Sequence, residues 1–563
     1  MEKAVVYQLL VRLFGNPPKA NVVNGSIEQN GCGKLNQISS KALDELRKMG
    51  ITHVWYTGVA EHAKTTGYQT YGIGPYPPHL VKGKAGSPYA IVDYYDVDPD
   101  LAEDVPNRIA EFGQLIARTH EAGLKAIIDF VPNHVARAYK SDAKPAGIED
   151  FGACDDVSLP FSPHNNFYYL PGTVFQPPVT AGNDGDIYTE SPAKVTGNDC
   201  LTASPSVYDW YETVKLNYGI DLFGQRAPHF NPVPDTWQKM LHILLYWAGK
   251  GVDGFRCDMA EMVPVAFWHY AIREVKARYP HIVFVAEVYT PSLYHDYISV
   301  GGFDWLYDKV GMYDTIRAVV QRQKPAHAIS SAWEAVSSIS GHMLFFLENH
   351  DEQRIASPFF AGDGEQGWPG FFVSATLNSN PLMVYFGQEV GVDGMDQEGF
   401  SGLDGRTSIF DYWSVVPFQR WVNQGRFDGA GLTFEQAALR DKYVALLGLL
   451  HREKAFMCGN LYDLAYANTS NPRFDTAALS AYLRYTPNEV LLCVANFGGD
   501  RADARVVIPG HAFGFCGLSD RAFFKSEDLL LSGTSMQCPV AVAQTGGMGV
   551  LLKPFQTLVF RLK

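Results

Sequence analysis

The chain has 563 residues, 46% of them apolar and 19% charged, which is the balance of a globular protein and too long for one core of typical size. Acidic residues outnumber basic ones by 60 to 46 for a net charge of −14, and no block of lysine or arginine offsets this, so nucleic acid and anionic membranes are poor partners. No apolar run is long enough for a membrane span.

In chain order, Val5 to Phe14 reads as the first strand. Ser39 to Met49 has helical spacing, with Leu43, Leu46 and Met49 among charges, and Gly50 stops it before a strand at His53 to Thr57. Val105 to Ala122 is a second amphipathic helix, followed by an apolar strand from Lys125 to Val131. The next helix to face a strand, Asp235 to Trp247, comes only after a long interval. The intervening residues, 135–215, are rich in Gly, Pro, Asn, Asp and Ser and include Ala181-Gly182-Asn183-Asp184-Gly185-Asp186. A structureless loop of that length is rare inside a domain, so it reads as a small inserted domain.

The rhythm resumes with a helix at 263–278 and strands at 253–258, 282–287, 303–307, 343–348 and 382–386, closed by a helix from Arg440 to Lys454. Eight strands alternating with helices predict an α/β fold, a (β/α)8 TIM barrel. From 456 onward short β runs such as Leu479 to Tyr485 and Val490 to Asn496 lack helical periodicity, which predicts a C-terminal antiparallel β-sandwich domain. The expected division is a barrel from 1–134 and 216–455, an insertion at 135–215 after the third strand, and a β domain at 456–563.

Four of the apolar strands end in polar residues: Asp129 with Asn133 and His134, Arg256 with Asp258, Glu287, and His350 with Asp351. In such a barrel the C-terminal ends of the strands share one face, where the chemistry sits. Arg256 and Asp258 are two apart on a strand and therefore point the same way, so a fixed cation stands beside a carboxylate. Glu287 follows a wholly apolar strand, where loss of water favours its protonated form. A charged carboxylate beside a protonated one is the pairing that glycosidic bond cleavage requires. Taken singly, each residue has another reading. The histidines are ordinary hydrogen-bonding groups, Asn133 is a turn residue, Tyr89 is core, and Asp351 is a partner for Arg354. An aromatic content of 13% suits sugar rings and large cores alike. The eight cysteines are scattered without a metal-binding spacing. The opening Met-Glu-Lys shows no signal peptide, so a cytoplasmic location is expected.

The four runs, in this order, resemble the four signature regions of the α-amylase family of glycoside hydrolases, and the resemblance spans nearly the whole chain. It implies a retaining enzyme acting on α-1,4-glucans or maltooligosaccharides, with Asp258 as nucleophile, Glu287 as general acid/base and Asp351 as transition-state stabiliser. A glucanotransferase or an oligosaccharide-specific α-glucosidase is the alternative within the same chemistry. The resemblance further implies that Tyr89, in Ser87-Pro88-Tyr89, stacks on the sugar. His134, Arg256, His350 and Arg354 complete the sugar contacts, and Asp129 supports the site from behind. No cofactor is required for the chemistry, but a structural calcium at Asn133 is a family feature. Here Lys215, in Val214-Lys215-Leu216-Asn217, stands where relatives carry an aspartate, which leaves the Met262 carbonyl with Asp184 or Asp186 to complete an ion site. Relatives that trim single glucose units often carry an aspartate three residues before the stacking tyrosine. Here that position is Gly86, which implies internal cleavage or release of short oligosaccharides.

Overall fold

A computed structural model describes residues 2–179, 188–518, 523–530 and 535–563. The run Ala181 to Asp186, with its two candidate ion ligands Asp184 and Asp186, lies outside the described residues.

Eight strands form the centre: β1 (Val5–Leu10), β2 (His53–Thr57), β3 (Lys125–Phe130), β4 (Gly254–Cys257), β5 (Val283–Ala286), β6 (Trp305–Tyr307), β7 (Met343–Leu344) and β8 (Leu382–Tyr385). They are hydrogen-bonded in the order β7-β6-β5-β4-β3-β2-β1-β8, all in parallel. A parallel bridge from Phe345 to Leu382 joins the two ends and closes the ring. The chain is thus a (β/α)8 barrel. Every residue of β1, β2, β4 and β8 is buried, as expected for strands covered on both faces.

The helices start and stop where local chemistry tells them to. Ser39 caps Ser40–Met49 by accepting from the Ala42 amide, and Gly50 ends it in the left-handed region at φ 104°. Three spans differ most from the sequence reading. Val5 to Phe14 is a strand only as far as Leu10, and Val11–Phe14 is one helical turn; an unbroken apolar run does not distinguish the two. The last barrel helix runs from Phe434 to Arg452, starting earlier than Arg440, because Thr433 and Gln436 form a capping box. The strand expected at 343–348 ends at Leu344, since beyond Phe345 the chain turns away to bring Glu348 against Arg354.

Between β3 and the helix Asp235–Gly249 the chain builds small antiparallel ladders, His134–Ala136 with Thr213–Lys215 and Tyr169–Leu170 with Ala193–Lys194. At the other end, a six-stranded antiparallel sheet and a two-stranded one share a core that includes Leu492, Val494, Val506, Val550 and Phe560. Helices of four to six residues, such as Ala465–Asn468 and Gly510–Phe515, punctuate these sheets; they are too short to leave a periodic trace. The strand Glu489–Asn496 alternates strictly. Leu492 and Val494 face the terminal core, whereas Leu491, Cys493 and Ala495 face the barrel. Beside it Arg484, fully buried, donates to the carbonyls of Leu377, Ala455 and Gly459. No helix among the described residues is long and apolar enough to cross a membrane.

A hairpin after β2 pairs Ala60–His62 with Ile91–Val97 and packs Glu61 against Asp93 and Asp96. Burial pushes Glu61 up to about 8, with Lys64 opposing and the neighbouring aspartates adding to the rise. A raised carboxyl holds its proton in the fold but loses it in the unfolded chain, so its contribution to stability falls as pH climbs from the ordinary carboxylate range to about 8. Glu61→Gln removes that slope. Urea unfolding at pH 8 is expected to show the variant more stable than the parent by roughly 1–3 kcal/mol, with the gap closing toward pH 5.

Candidate active site

The site begins with register. Arg256 of β4 lies opposite Asp129 of β3 and Val285 of β5. Asp258 and Glu287 each come two residues later on their strands, so all four side chains gather at the same rim. Arg256, fully buried, reaches Asp258 Oδ1 at 2.7 Å with Nη1 and Glu287 Oε2 at 2.8 Å with Nη2, and Asp129 lies beneath at 3.6 Å. The rings of Trp55, Tyr89 and Tyr307 surround its guanidinium at 5.2, 5.3 and 5.6 Å, a setting that favours a delocalised cation.

Met259 takes the left-handed backbone at φ 43°, a strained geometry for a side chain of this kind. The turn aims its N–H at Glu287 Oε2, 2.7 Å away. The Tyr289 hydroxyl lies 2.5 Å from the other oxygen of Glu287. Asp258, Glu287 and Asp351 line one cavity of about 340 Å³ together with Tyr89 and His134.

Electrostatically the site is short of positive charge. Burial pushes Asp258 well above the ordinary carboxylate range; Arg256 opposes this, while Glu287 and Asp351 add to it. Partial loss of water and Glu287 push Asp351 upward, although its side chain keeps 44% of its exposure, and burial pushes Asp129 up to about 6 against the pull of Arg256. The sequence argument gave Arg256 to Asp258 alone and so placed Asp258 low. The structure corrects this, because one guanidinium serves both Asp258 and Glu287 and the carboxylates compete for it. Such a cluster retains protons near neutrality and titrates as a unit.

His350 and Arg256 stand behind the cavity wall. His350 is stacked on Tyr89 with ring centres 5.1 Å apart. Its Nε2 lies 2.5 Å from the Tyr89 hydroxyl and 3.0 Å from Asp351, and its Nδ1 is 2.8 Å from the Gln8 amide nitrogen. Burial and Arg256 push its pKa down, so the ring is neutral. With Gln8 donating to Nδ1, the proton sits on Nε2, facing Tyr89 and Asp351. Arg354 is neither a sugar contact nor a partner of Asp351. It is fully buried, pairs with Glu348 at 2.9 Å and donates to Thr407 Oγ1 and the Phe386 carbonyl. The family resemblance implied the sugar contact and closeness in the chain suggested the pairing with Asp351, but the chain leaves the ladder after Phe345 and turns Arg354 onto Glu348.

Residues 21–412 match the family model described as alpha amylase, catalytic domain. The chain belongs to the alpha-amylase family. This family protein is similar to alpha-amylase 3 of Dictyoglomus thermophilum, 23% identical over 74% of this chain and 70% of the relative. It is also similar to the 4-alpha-glucanotransferase of Thermotoga maritima, 22% identical over 70% of this chain and 73% of that one. Maltase 1 of Drosophila virilis is 30% identical over 45% of this chain and 31% of its own length. Among solved structures, a maltogenic alpha-amylase of Thermotoga neapolitana superposes with a TM-score of 0.63 at 18% identity, covering 100% of this chain and 98% of the other, which is a likeness of fold.

For this alpha-amylase-family glycosidase the calcium expected at Asn133 does not fit the donors found there among the described residues. The Lys215 ammonium donates to Asn133 Oδ1 and lies 2.8 Å from Asp199 Oδ1 and 3.4 Å from the Met262 carbonyl. These oxygens would have to ligate the ion, and the ammonium occupies the space between them. A cation and an ammonium cannot share one such cage.

Among the cavity residues that the sequence reading passed over are Lys82, Trp210, Glu212 and Tyr289. Tyr289 was within reach, being two residues after Glu287 at a strand end. Trp210 stands 5.2 Å from the His134 ring, but a single aromatic in a loop-rich segment carries no pattern.

Proposed function

We propose that this protein is a retaining glycoside hydrolase acting on α-1,4-glucosidic bonds of starch, glycogen or maltodextrins. The observation that carries the reading is the guanidinium of Arg256, which holds Asp258 and Glu287 side by side on a cavity floor that also carries Asp351. In the proposed reaction the reactive form of the cluster carries its proton on Glu287 and leaves Asp258 ionised against Arg256, so that Glu287 protonates the glycosidic oxygen as Asp258 attacks the anomeric carbon. The bond to the leaving sugar breaks and a glycosyl ester forms on Asp258. Glu287 then takes a proton from water, which attacks the same carbon and frees Asp258. Asp351, 3.0 Å from His350 Nε2, stands by the positive charge that develops on the ring. Tyr89 and His134 hold the sugar, with residues 135–215 as an inserted domain and 456–563 as a terminal β domain. Eight unpaired cysteines suit the reducing cytoplasm.

Proton NMR of the first products from maltooligosaccharides is expected to show the α-anomer ahead of mutarotation. First appearance of the β-anomer would mean an inverting enzyme and would remove Asp258 as nucleophile. Products longer than the substrate would make it a glucanotransferase, the activity carried in the name of the Thermotoga maritima relative.

A further inference from the structure

The cavity wall contains an ion pair that the proposed chemistry does not use. Lys82 Nζ lies 2.8 Å from Glu212 Oε1, with the two side chains 13% and 6% exposed, and both residues line the cavity above Asp258 and Glu287. They come from separate excursions of the chain. Lys82 is in the connection after β2, and Glu212 immediately precedes the strand Thr213–Lys215 of the insertion after β3. The pair therefore spans from the barrel rim to the insertion.

The order of strands in the ring says which side of the sugar this is. In a closed ring of eight, β1 lies across from β5, flanked by β2 and β8. Glu287 follows β5. Lys82 follows β2, and Ile409 and Phe410, which follow β8, complete the same wall. The group that protonates the leaving oxygen stands on the leaving-group side, so the wall across the ring faces the glycone, toward the non-reducing end of the chain.

This wall is pinned. The Ala85 amide donates to the Phe410 carbonyl at 3.0 Å, and Gly83 packs so closely on the same carbonyl that a Cβ there would lie 2.2 Å from its oxygen. The Lys82 ammonium has three hydrogens and, among the described residues, engages one carboxylate and the face of Tyr211 at 5.4 Å. It has donors to spare for hydroxyl oxygens. Gly86 cannot supply a block here itself. It sits at φ 70°, and a Cβ on it would meet the Ala63 carbonyl at 1.7 Å.

We propose that the Lys82–Glu212 pair closes the glycone end of the cavity and hydrogen-bonds the hydroxyls of the non-reducing terminal sugar, so that short pieces are released from chain ends. The proposal rests on the reading of Asp258 and Glu287 as the α-glucan site, and of the two outcomes implied by Gly86, internal cleavage or release of short oligosaccharides, it selects the second.

Two maltoheptaosides with the same chromogenic reducing end, one free and one bearing a 4,6-acetal on the terminal sugar, test it. The parent enzyme is expected to cleave the blocked substrate at least about tenfold more slowly than the free one, the loss of one charged hydrogen bond plus a clash. Lys82→Met, which keeps the stem, Glu212→Gln, which keeps the shape, and the Lys82→Ala/Glu212→Ala double variant are each expected to bring the ratio of the two rates toward one, mainly through KM for the blocked substrate. Equal rates for the parent overturn the proposal without need of any variant, and so does a parent ratio that survives in folded variants. If the parent cleaves neither substrate, the α-glucan reading fails, and the role of the pair falls with it.

Discussion

Arg256→Met is expected to abolish turnover and to destabilise the fold by about 3–5 kcal/mol, the cost of removing one partner from a buried charge cluster. The size follows from the sharing described above: a single guanidinium holds Asp258 and Glu287 at 2.7 and 2.8 Å, with Asp129 at 3.6 Å. Methionine fills much of the volume but leaves buried carboxylates to repel one another. Asp258 and Asp129, already raised by burial, lose the guanidinium that opposes the rise and hold their protons more tightly. A raised carboxyl costs stability once the unfolded chain has lost its proton, so the deficit should widen from pH 5 to pH 7.5. Urea unfolding at those two pH values measures it, and a deficit that narrows as pH rises would contradict this account. Arg256→Lys keeps the charge but cannot reach two carboxylates in a fixed fork. It should recover most of the stability while kcat stays about 100-fold down, since small misplacements of reacting groups have that effect.

Asp258→Asn separates chemistry from structure. If Asp258 is the nucleophile, kcat should fall by about 10⁴-fold, the scale seen when a nucleophile is removed from an otherwise intact site. Stability should hardly change, because burial already disfavours the charged form of Asp258 and asparagine can still accept from Arg256. Thermal melting alongside maltooligosaccharide turnover gives both readings. Retained activity would make Asp258 a structural partner of Arg256. Loss of activity together with loss of the fold would place the residue in the scaffold.

Much of this site was legible from the sequence because strand periodicity and register are simple rules. An apolar run ending in Asp258 or Glu287 indicates both that a strand is present and that its end carries a carboxylate. What was illegible depended on distance in three dimensions. Nothing near Arg256 in the chain says that it also holds Glu287, and nothing near Lys215 says that its ammonium meets Asp199. Arg354 was misread for the opposite reason. It is close to Asp351 in the chain, but the early end of β7 turns it onto Glu348. Lys82 and Glu212 lie 130 positions apart in two loops, and no periodic signal connects such residues.

The strand Glu489–Asn496 alternates between two cores, and this changes what a boundary means in this molecule. Leu492 and Cys493 are covalent neighbours, yet they belong to different bodies: one completes the terminal β layer, and the other completes the outside of the barrel. A cut anywhere near residue 456 would therefore not separate an enzyme from an appendage. It would strip the barrel of one of its own walls and leave the Leu377 and Ala455 carbonyls without the buried Arg484 that donates to them. The last hundred residues are best counted as part of the catalytic scaffold that happens to be written at the end of the chain.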